Sequence, residues 1–225
     1  MTPQISKTLL YEQYAFADPS YLSNAVLIAG VDQGRSGDNA YTYGDPACDY
    51  IVKNSVIANC GYSTFFALGG SYRFVHCTLD NHWHASTTAR KTGSIQVGNY
   101  QMDNEYNVYY YPFNMEMNNC IITGSLENEF VTGFDGGADS TFIFNNCLLK
   151  SNRFAHSTSG FNHCIFNEEP LFVDVNRNDF HIDSIASPVI GTGNPLYGNE
   201  IPHDLDGVSR IGIPDMGAYQ YVPKN

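Results

Sequence analysis

The densest cluster of side chains suited to binding or catalysis lies between residues 80 and 91 and contains the only tryptophan of the chain. An indole face stacks on the apolar face of a sugar ring, and histidine, arginine and asparagine side chains hydrogen-bond to hydroxyl groups. The cluster therefore predicts a carbohydrate-binding site at His82, Trp83, His84 and Arg90. The alternative is that Trp83 packs against the fold and the two histidines are solvated.

The same loop offers candidates for β-elimination of a uronate, which needs a base near the sugar C5 and cations that neutralise the carboxylate. His84, Arg90 and Lys91 are weak catalytic candidates, and Asp103 and Glu105 follow as candidate Ca²⁺ ligands. No lyase motif accompanies them. Polysaccharide lyase activity on an acidic glycan is therefore an alternative rather than the leading hypothesis.

Other acidic residues form two weaker candidate sites. Asp135 and Asp139 flank Gly136-Gly137, a spacing compatible with hydrolysis by paired carboxylates but more typical of a simple turn. Near the C-terminus, three carboxylates are weak candidates for a cation, although an ion pair between Arg210 and one of them explains the same residues as structure. These three are Asp204, Asp206 and Asp215, of which Asp215 is the expected partner of Arg210. No cofactor is therefore expected, and Ca²⁺ is the one alternative.

A repeated pattern indicates what positions these residues. Five segments share a small central residue followed, two residues later, by a large apolar one. The central residues are Ser55, Cys77, Cys120, Cys147 and Cys164, and the apolar residues are Ile57, Leu79, Ile122, Leu149 and Phe166. Apolar side chains at a period of two mark one buried face of a strand.

The residue before each centre predicts a bend. These residues are Asn54, His76, Asn119, Asn146 and His163. Asparagine and histidine tolerate left-handed backbone angles better than most residues. The residues three before each centre are also apolar, at an odd offset that a straight strand would place on the opposite face. Two short strands should therefore meet at each polar corner.

Stacking of these units should align the central side chains in a buried column, with insertions in surface loops. Parallel strands lie about 4.8 Å apart, farther than the Cβ separation of roughly 3.8 Å that a disulfide prefers. We therefore expect free thiols at Cys77, Cys120, Cys147 and Cys164. Cys48 and Cys60 lie outside the column and are candidates for a disulfide.

These features resemble the right-handed parallel β-helix of the pectate-lyase-like superfamily, especially its uncharacterised secreted or surface bacterial members. The resemblance covers about residues 50 to 221 and implies an all-β fold of three-strand coils with a C-terminal cap. It implies first strands at Ser63–Leu68, Ser94–Asn99 and Glu129–Phe134, and, in the best coil, a second strand at Ser71–Val75 and a third at Cys77–Asp80. It also implies that loops such as residues 82–91 border a saccharide groove along the first strands.

The C-terminal motifs around Pro170, Ser187, Asp204 and Gly217 resemble the ending of such proteins and imply a lid over the last coil. The expected organisation is an irregular segment (1–49) with a strand near 24–29 and a loop at 32–45, the coils (50–169), and the terminal coil and cap (170–225). All three belong to one structural domain. The Tyr109-Tyr110-Tyr111 run, with Tyr100 and Tyr106, falls in an insertion between a first and a second strand. We expect these rings to pack, the alternative being an exposed platform.

A net charge of −12 argues against nucleic acid and anionic bilayers as partners. No segment has the roughly 20 apolar residues of a membrane span. The composition favours an extracellular or cell-surface protein, whose targeting segment would lie outside this sequence. The leading hypothesis is a β-helix that binds polysaccharide or another glycan without a recognisable catalytic motif. A purely structural or adhesive surface module is a further alternative.

Overall fold

The computed structural model describes residues 4–11, 27–28, 49–83, 90–157 and 159–224. Within them the chain is mostly strand and loop, with one short helix, α1 (Pro195–Glu200), and a 3-10 helix (Val175–Arg177). The strands in chain order are β1 (Gln4–Tyr11), β2 (Leu27–Ile28), β3 (Asp49–Ala58), β4 (Phe65–Leu68), β5 (Gly70–Asn81), β6 (Ile95–Gly98), β7 (Tyr100–Met102), β8 (Val108–Tyr110), β9 (Phe113–Asn118), β10 (Ile121–Gly124), β11 (Phe130–Gly133), β12 (Ser140–Asn145), β13 (Leu148–Leu149), β14 (Phe161–Asn162), β15 (Ile165–Phe166), β16 (Phe172–Asp174) and β17 (Asp179–Ile182). The all-β prediction is confirmed.

The largest sheet is parallel and strongly curled. β1, β3 and β5 pair in that order, and two arms continue from β5. The first half of β5 pairs with β9, which is followed by β12 and β14. The second half pairs with β10, which is followed by β13 and β15. The curl follows from the bend within β3 and β5, because one strand then serves both arms.

A second parallel sheet contains β2, β4, β6 and β11. The last three are the strands predicted at 63–68, 94–99 and 129–134, and β2 falls inside the strand predicted at 24–29. Three times the chain passes from this sheet into the first arm of the large sheet and then into the second arm. β1 was not predicted, and the loop predicted at 32–45 lies outside the described residues.

The polar corners adopt the predicted left-handed backbone. The φ angles are 49° at Asn54, 52° at His76, 51° at Asn119, 50° at Asn146 and 53° at His163. A single residue with positive φ turns the chain sharply while the flanking residues remain extended. The local pattern thus predicted both the position and the conformation of every bend.

The predicted column of small side chains is also present. Ser55 pairs with Cys77, and the register of the following strands aligns Cys77 with Cys120, then Cys147, then Cys164. The Cys77 amide donates to Cys120 Sγ at 3.4 Å, and the Cys120 amide donates to Cys147 Sγ at 3.4 Å. These four thiols are free, as predicted. Cys60 is buried, and its candidate partner Cys48 lies outside the described residues.

Aromatic rings fill the interior beside the thiol column. Phe65, Phe74, Phe130 and Phe144 are fully buried, and neighbouring rings meet mostly edge to face. The Phe130 and Phe144 centroids are 4.9 Å apart. Such contacts add about 0.5–1.5 kcal/mol per pair to the burial of the rings. The interior is therefore a packed core between the second parallel sheet and the first arm of the large sheet.

The C-terminal segment departs from the predicted lid. Residues 170–221, here called the flank segment, pack on the outer face of the second arm instead of covering only the last strands. Val56 and Ala58 of that arm contact Phe180, Ala218 and Tyr219, and its Ile121 and Leu148 contact Ile182, Val189 and Met216. The physical reason is that this arm carries apolar side chains on both faces, so both must be buried. Each such side chain contributes about 1.5–3 kcal/mol on burial.

The polar corners fix the flank segment in place. Asn119 is the centre of this contact. Its side-chain Nδ2 donates to the Asn194 carbonyl at 3.0 Å, and its side-chain Oδ1 accepts from the Asn194 backbone amide at 2.8 Å. Asn54 and Asn146 donate to the carbonyls of His203 and Thr192. The corner side chains therefore both allow the bend and hold the segment that covers the second arm.

Candidate functional site

The predicted binding loop begins where β5 ends and returns before β6. The structure describes His82, Trp83, Arg90 and Lys91, whereas His84 lies outside the described residues. Trp83 is half-buried and has a positive φ of 35°, and Lys91 is exposed. The four described residues differ in burial, since Arg90 is buried, His82 and Trp83 are half-buried and Lys91 is exposed.

Arg90 is a structural residue of this corner. Its side chain is 1% exposed and Nη2 donates to Glu129 Oε1 at 2.6 Å and to the Asn81 carbonyl at 2.7 Å, while Nη1 donates to the Thr92 carbonyl. A buried cation needs such partners because unpaired burial costs several kcal/mol. The guanidinium is therefore buried and paired inside the fold, and its contact with a glycan and its candidate catalytic role stay predictions.

Glu129 completes this buried pair. Its Oε2 accepts from the Ser94 amide at 2.7 Å, and its Oε1 accepts from the Leu126 amide at 2.7 Å besides Arg90. The carboxylate thus links the loop that precedes β6 to the loop that precedes β11. Sequence reasoning missed this pair because its members are 39 residues apart and no local pattern connects them.

His82 lies beside a cleft that the sequence did not predict. Its Nδ1 contacts the carboxylate of the buried Asp80 at 2.8 Å, and this hydrogen bond raises the pKa of His82. The cleft has a volume of about 370 Å³ and is otherwise lined by residues 169–176 of the chain. His82 therefore faces the start of the flank segment, and Trp83 does not line this cleft.

The Asp80–His82 contact has a local counterpart. Asp179 and His181 have the same spacing, and His181 Nδ1 lies 2.6 Å from Asp179 Oδ1 while its Nε2 lies 2.7 Å from Asp206 Oδ2. In both pairs the aspartate also accepts the backbone amide of the histidine. An aspartate two residues before a histidine thus makes this contact at two separate places in the chain, so the pair does not by itself indicate catalysis.

The acidic candidates for a cation are engaged by the chain itself. Asp204 accepts from the amides of Val208 and Gln220, and Asp215 accepts from those of Gly191 and Tyr221. Asp206 contacts His181, and Asp103 accepts from the amides of Glu105 and Asn107. Within the described residues, no group of three or more His, Cys, Asp or Glu side chains is arranged to hold a metal ion.

The predicted Arg210–Asp215 ion pair is replaced by backbone contacts. Arg210 is fully buried and donates to the carbonyls of His203, Gly217 and Ala218 at 2.7, 3.2 and 2.8 Å. Desolvation lowers the pKa of Arg210 to about 10, although the negative charges of Asp204 and Asp215 act to raise it. Carbonyl oxygens rather than Asp215 are therefore the direct hydrogen-bond partners of the guanidinium.

Exposed tyrosines form a surface that we expected to be packed. β7 and β8 form an antiparallel hairpin (residues 100–110), here called the tyrosine hairpin. Tyr100, Tyr106, Tyr109 and Tyr110 are 40%, 79%, 49% and 41% exposed. The prediction of packing is therefore wrong for these four rings. The alternation of Tyr100 with Met102, and of Val108 with Tyr110, puts four large side chains on one face of the hairpin, and Tyr109 lies on the other face.

The tyrosine hairpin is fixed to the neighbouring turn. Tyr100 and Tyr110 are cross-strand partners with centroids 6.4 Å apart. A Cβ at Gly137 would lie 2.2 Å from the Tyr110 ring, so only glycine permits this approach. Partial desolvation and the carboxylate of Asp135 raise the pKa of Tyr110. Asp135 and Asp139 thus belong to the predicted turn, and the turn supports an aromatic ring.

Two shallow hollows lie next to this turn, on the outer face of the first arm, here called the open face. One has a volume of about 230 Å³ and includes Ser71, Asn114, Asp139 and Thr141. The other has a volume of about 220 Å³ and shares Ser71 and Asn114 with the first. Hydroxyl, amide and carboxylate groups therefore line a continuous surface that begins beside the tyrosine hairpin.

An ion network closes the far side of the open face. Both terminal nitrogens of Arg73 donate to Glu200 at 2.7 Å, and Arg73 Nε lies 3.4 Å from Glu116 Oε2. Lys53 Nζ lies 2.8 Å from Glu200 Oε1. These contacts tie α1 to the sheet, and the two cations lower the pKa of Glu200 to about 2.

No family model, curated protein or solved structure matches this chain. Its function must therefore be inferred from its own geometry. None of the helices in the described ranges has the length and hydropathy to cross a membrane.

Proposed function

We propose that the chain is an extracellular or cell-surface right-handed parallel β-helix, similar to the pectate-lyase-like superfamily, that binds complex carbohydrate. The fold proposal is supported by the repeated passage of the chain through the same three groups of parallel strands. Aligned thiols and five equivalent bends are also what stacked coils would produce.

The exposed tyrosine hairpin beside the open face is the observation that carries the functional proposal. Large exposed apolar surfaces on a folded protein usually mark a binding site. Tyrosine rings stack on the apolar faces of sugars, and their hydroxyl groups exchange hydrogen bonds with sugar hydroxyls. The hydroxyl and amide groups of Ser71, Asn114 and Thr141 add polar partners in the adjoining hollows. An extended glycan would contact both surfaces.

The cleft at His82 is a second candidate position for the same ligand class. His82 is held by Asp80 at its rim, and Trp83 is the next residue in the chain. This position retains two of the residues predicted from sequence, without Arg90. It supports binding less strongly because Trp83 does not line the cleft.

Binding assays on hairpin variants test the proposal. Glycan-array screening followed by calorimetry should identify a ligand whose affinity falls in Tyr106→Asn and Tyr109→Thr, by about 0.5–1.5 kcal/mol for each ring. Asparagine is chosen for position 106 because Tyr106 has a φ of 66°, a left-handed angle that asparagine tolerates. Threonine is chosen for position 109 because this position lies in a strand, which threonine favours.

Two further variants locate the site. Ile185→Ala is the matched control, since Ile185 is an exposed apolar residue of the flank segment, and it should bind like the wild type. A ligand lost in Trp83→Ala but retained in both tyrosine variants would move the site from the hairpin to the loop that follows β5, next to the His82 cleft. Unchanged binding in Trp83→Ala, Tyr106→Asn and Tyr109→Thr would overturn both the hairpin and the loop after β5 as binding sites.

A further inference from the structure

The region that carries the tyrosine hairpin has a one-sided charge. Residues 92–149 contain no lysine, arginine or histidine. The same stretch contains seven acidic residues: Asp103, Glu105, Glu116, Glu127, Glu129, Asp135 and Asp139. Only Glu129 among them is buried, where it pairs with Arg90. The hairpin and the adjoining turn therefore project into solvent without any cationic side chain of their own.

The two cations of the open face do not offset this charge. Arg73 directs all three guanidinium nitrogens to the carboxylates of Glu200 and Glu116, and Lys53 contacts Glu200. Both cations are thus neutralised by carboxylates that belong to the same surface. An anionic ligand would have to displace these contacts before it could pair with either cation.

Carboxylates also lie directly beside the exposed rings. Asp103 Oδ2 accepts from the Tyr109 hydroxyl at 3.1 Å, and Asp135 contacts Tyr110. Asp139 lines the hollow next to the same turn and is exposed. An aromatic face attracts a cation within about 6 Å of its centroid, and a neighbouring carboxylate adds to that attraction. Rings and acids together form a surface suited to an organic cation.

We infer that the tyrosine hairpin and the open face select glycans that carry ammonium groups, such as polymers of amino sugars, over glycans that carry carboxylates. The inference rests on the proposed function, because it names the class of carbohydrate that the proposed site takes. Sugar faces stack on the tyrosines while protonated amines lie near Asp135 and Asp139. Polyuronates are repelled by the same carboxylates, so the surface does not suit the substrate of a polyuronate lyase.

Calorimetric titration with three oligosaccharides of equal length tests the inference. The ligands are a glucosamine tetramer, its fully N-acetylated counterpart and a galacturonate tetramer, at a pH where the amines are protonated. The glucosamine tetramer should bind about two- to fivefold more tightly than the acetylated one, and the galacturonate tetramer should bind most weakly. Added salt should reduce the difference.

Variants that replace a carboxylate by an amide test whether the preference for the glucosamine tetramer comes from the acidic residues beside the tyrosine hairpin. Asp135→Asn and Asp139→Asn should each reduce the preference for the glucosamine tetramer while leaving the acetylated tetramer unchanged. Glu168→Gln, at an exposed carboxylate that lines neither hollow, should retain the preference.

The possible failures are distinguishable. Equal or tighter binding of the acetylated or galacturonate tetramer, with affinity that still depends on Tyr106 and Tyr109, would overturn the charge selectivity and leave the proposed function standing. An unchanged preference in both aspartate variants would also overturn it. Absence of binding by all three ligands would contradict the proposed function for these glycans and the selectivity with it.

Discussion

The open face and the outer face of the second arm differ although the two bent strands β3 and β5 contribute to both. On the second arm, Val56, Ile121 and Leu148 point outward and are covered by the flank segment. On the first arm, the outward positions hold Ser71, Arg73, Asn114, Glu116 and Thr141, and they remain accessible. The residue types at outward positions therefore decide which face the chain covers with its own C-terminal segment and which stays accessible.

The largest expected effect comes from truncating one side chain on the covered face. Ile121 is 1% exposed and packs on the flank segment, so Ile121→Ala should lower the free energy of unfolding by about 2–5 kcal/mol. Ile143 lies on the first arm and is 45% exposed. Ile143→Ala should change the stability by less than about 1 kcal/mol. Denaturant unfolding of both variants measures the contrast, and equal losses would refute the distinction between the faces.

An intermediate effect is expected at the corner that joins the two arms. Asn119→Ala removes hydrogen bonds to Asn194 and places alanine at a φ of 51°, so stability should fall by about 1–3 kcal/mol. Asn119→Gly keeps the backbone angle accessible and isolates the lost hydrogen bonds.

The matched control for this corner is Asn145→Ala. Asn145 lies on the first arm, where its side chain bonds only to Asn118 and Asn162 among the described residues. Thermal unfolding should rank Asn119→Ala as the least stable of the three variants. A larger loss in Asn145→Ala would contradict the role assigned to the corner in holding the flank segment.

The smallest effect concerns the ion network at the edge of the open face. The pKa of Glu200 falls from an ordinary value of 4.5 to about 2 in the folded protein. Its stabilising contribution is therefore complete above pH 4.5 and is lost as the pH falls toward 2. Because the pairs are partly exposed, the loss should be below about 1 kcal/mol. The difference in stability between wild type and Glu200→Gln should shrink across this interval, and a difference independent of pH would count against the ion pairs.

The sequence predicted the parts of the fold that depend on local pattern. The bends at Asn54 through His163 follow from residue type at one position, and the thiol column follows from the repeated pattern of a small residue and, two residues later, a large apolar one. The sequence also contains a pattern for the covered face. The residues that directly follow the five centres are mostly apolar, and they are Val56, Thr78, Ile121, Leu148 and Ile165. An apolar side chain on the outward side of a strand requires a cover, and this column could have predicted the flank segment.

The candidate site was less predictable because exposure depends on what the rest of the chain covers. The tyrosines near residue 109 have the composition of a packed strand, and only the tertiary structure leaves them exposed. Conversely, an arginine in a polar loop is usually exposed, but Arg90 is buried because it pairs with Glu129, which is distant in sequence. Residue type indicated which side chains are able to bind a ligand, whereas tertiary packing decided which of them are available.

Hydrogen exchange with and without a saturating oligosaccharide ligand tests the contrast between the two faces most directly. The account predicts slower exchange of backbone amides in the tyrosine hairpin and in residues 113–116, with unchanged exchange in the flank segment. Protection confined to His82 and residues 169–176, or found throughout the flank segment instead of the hairpin, would contradict it.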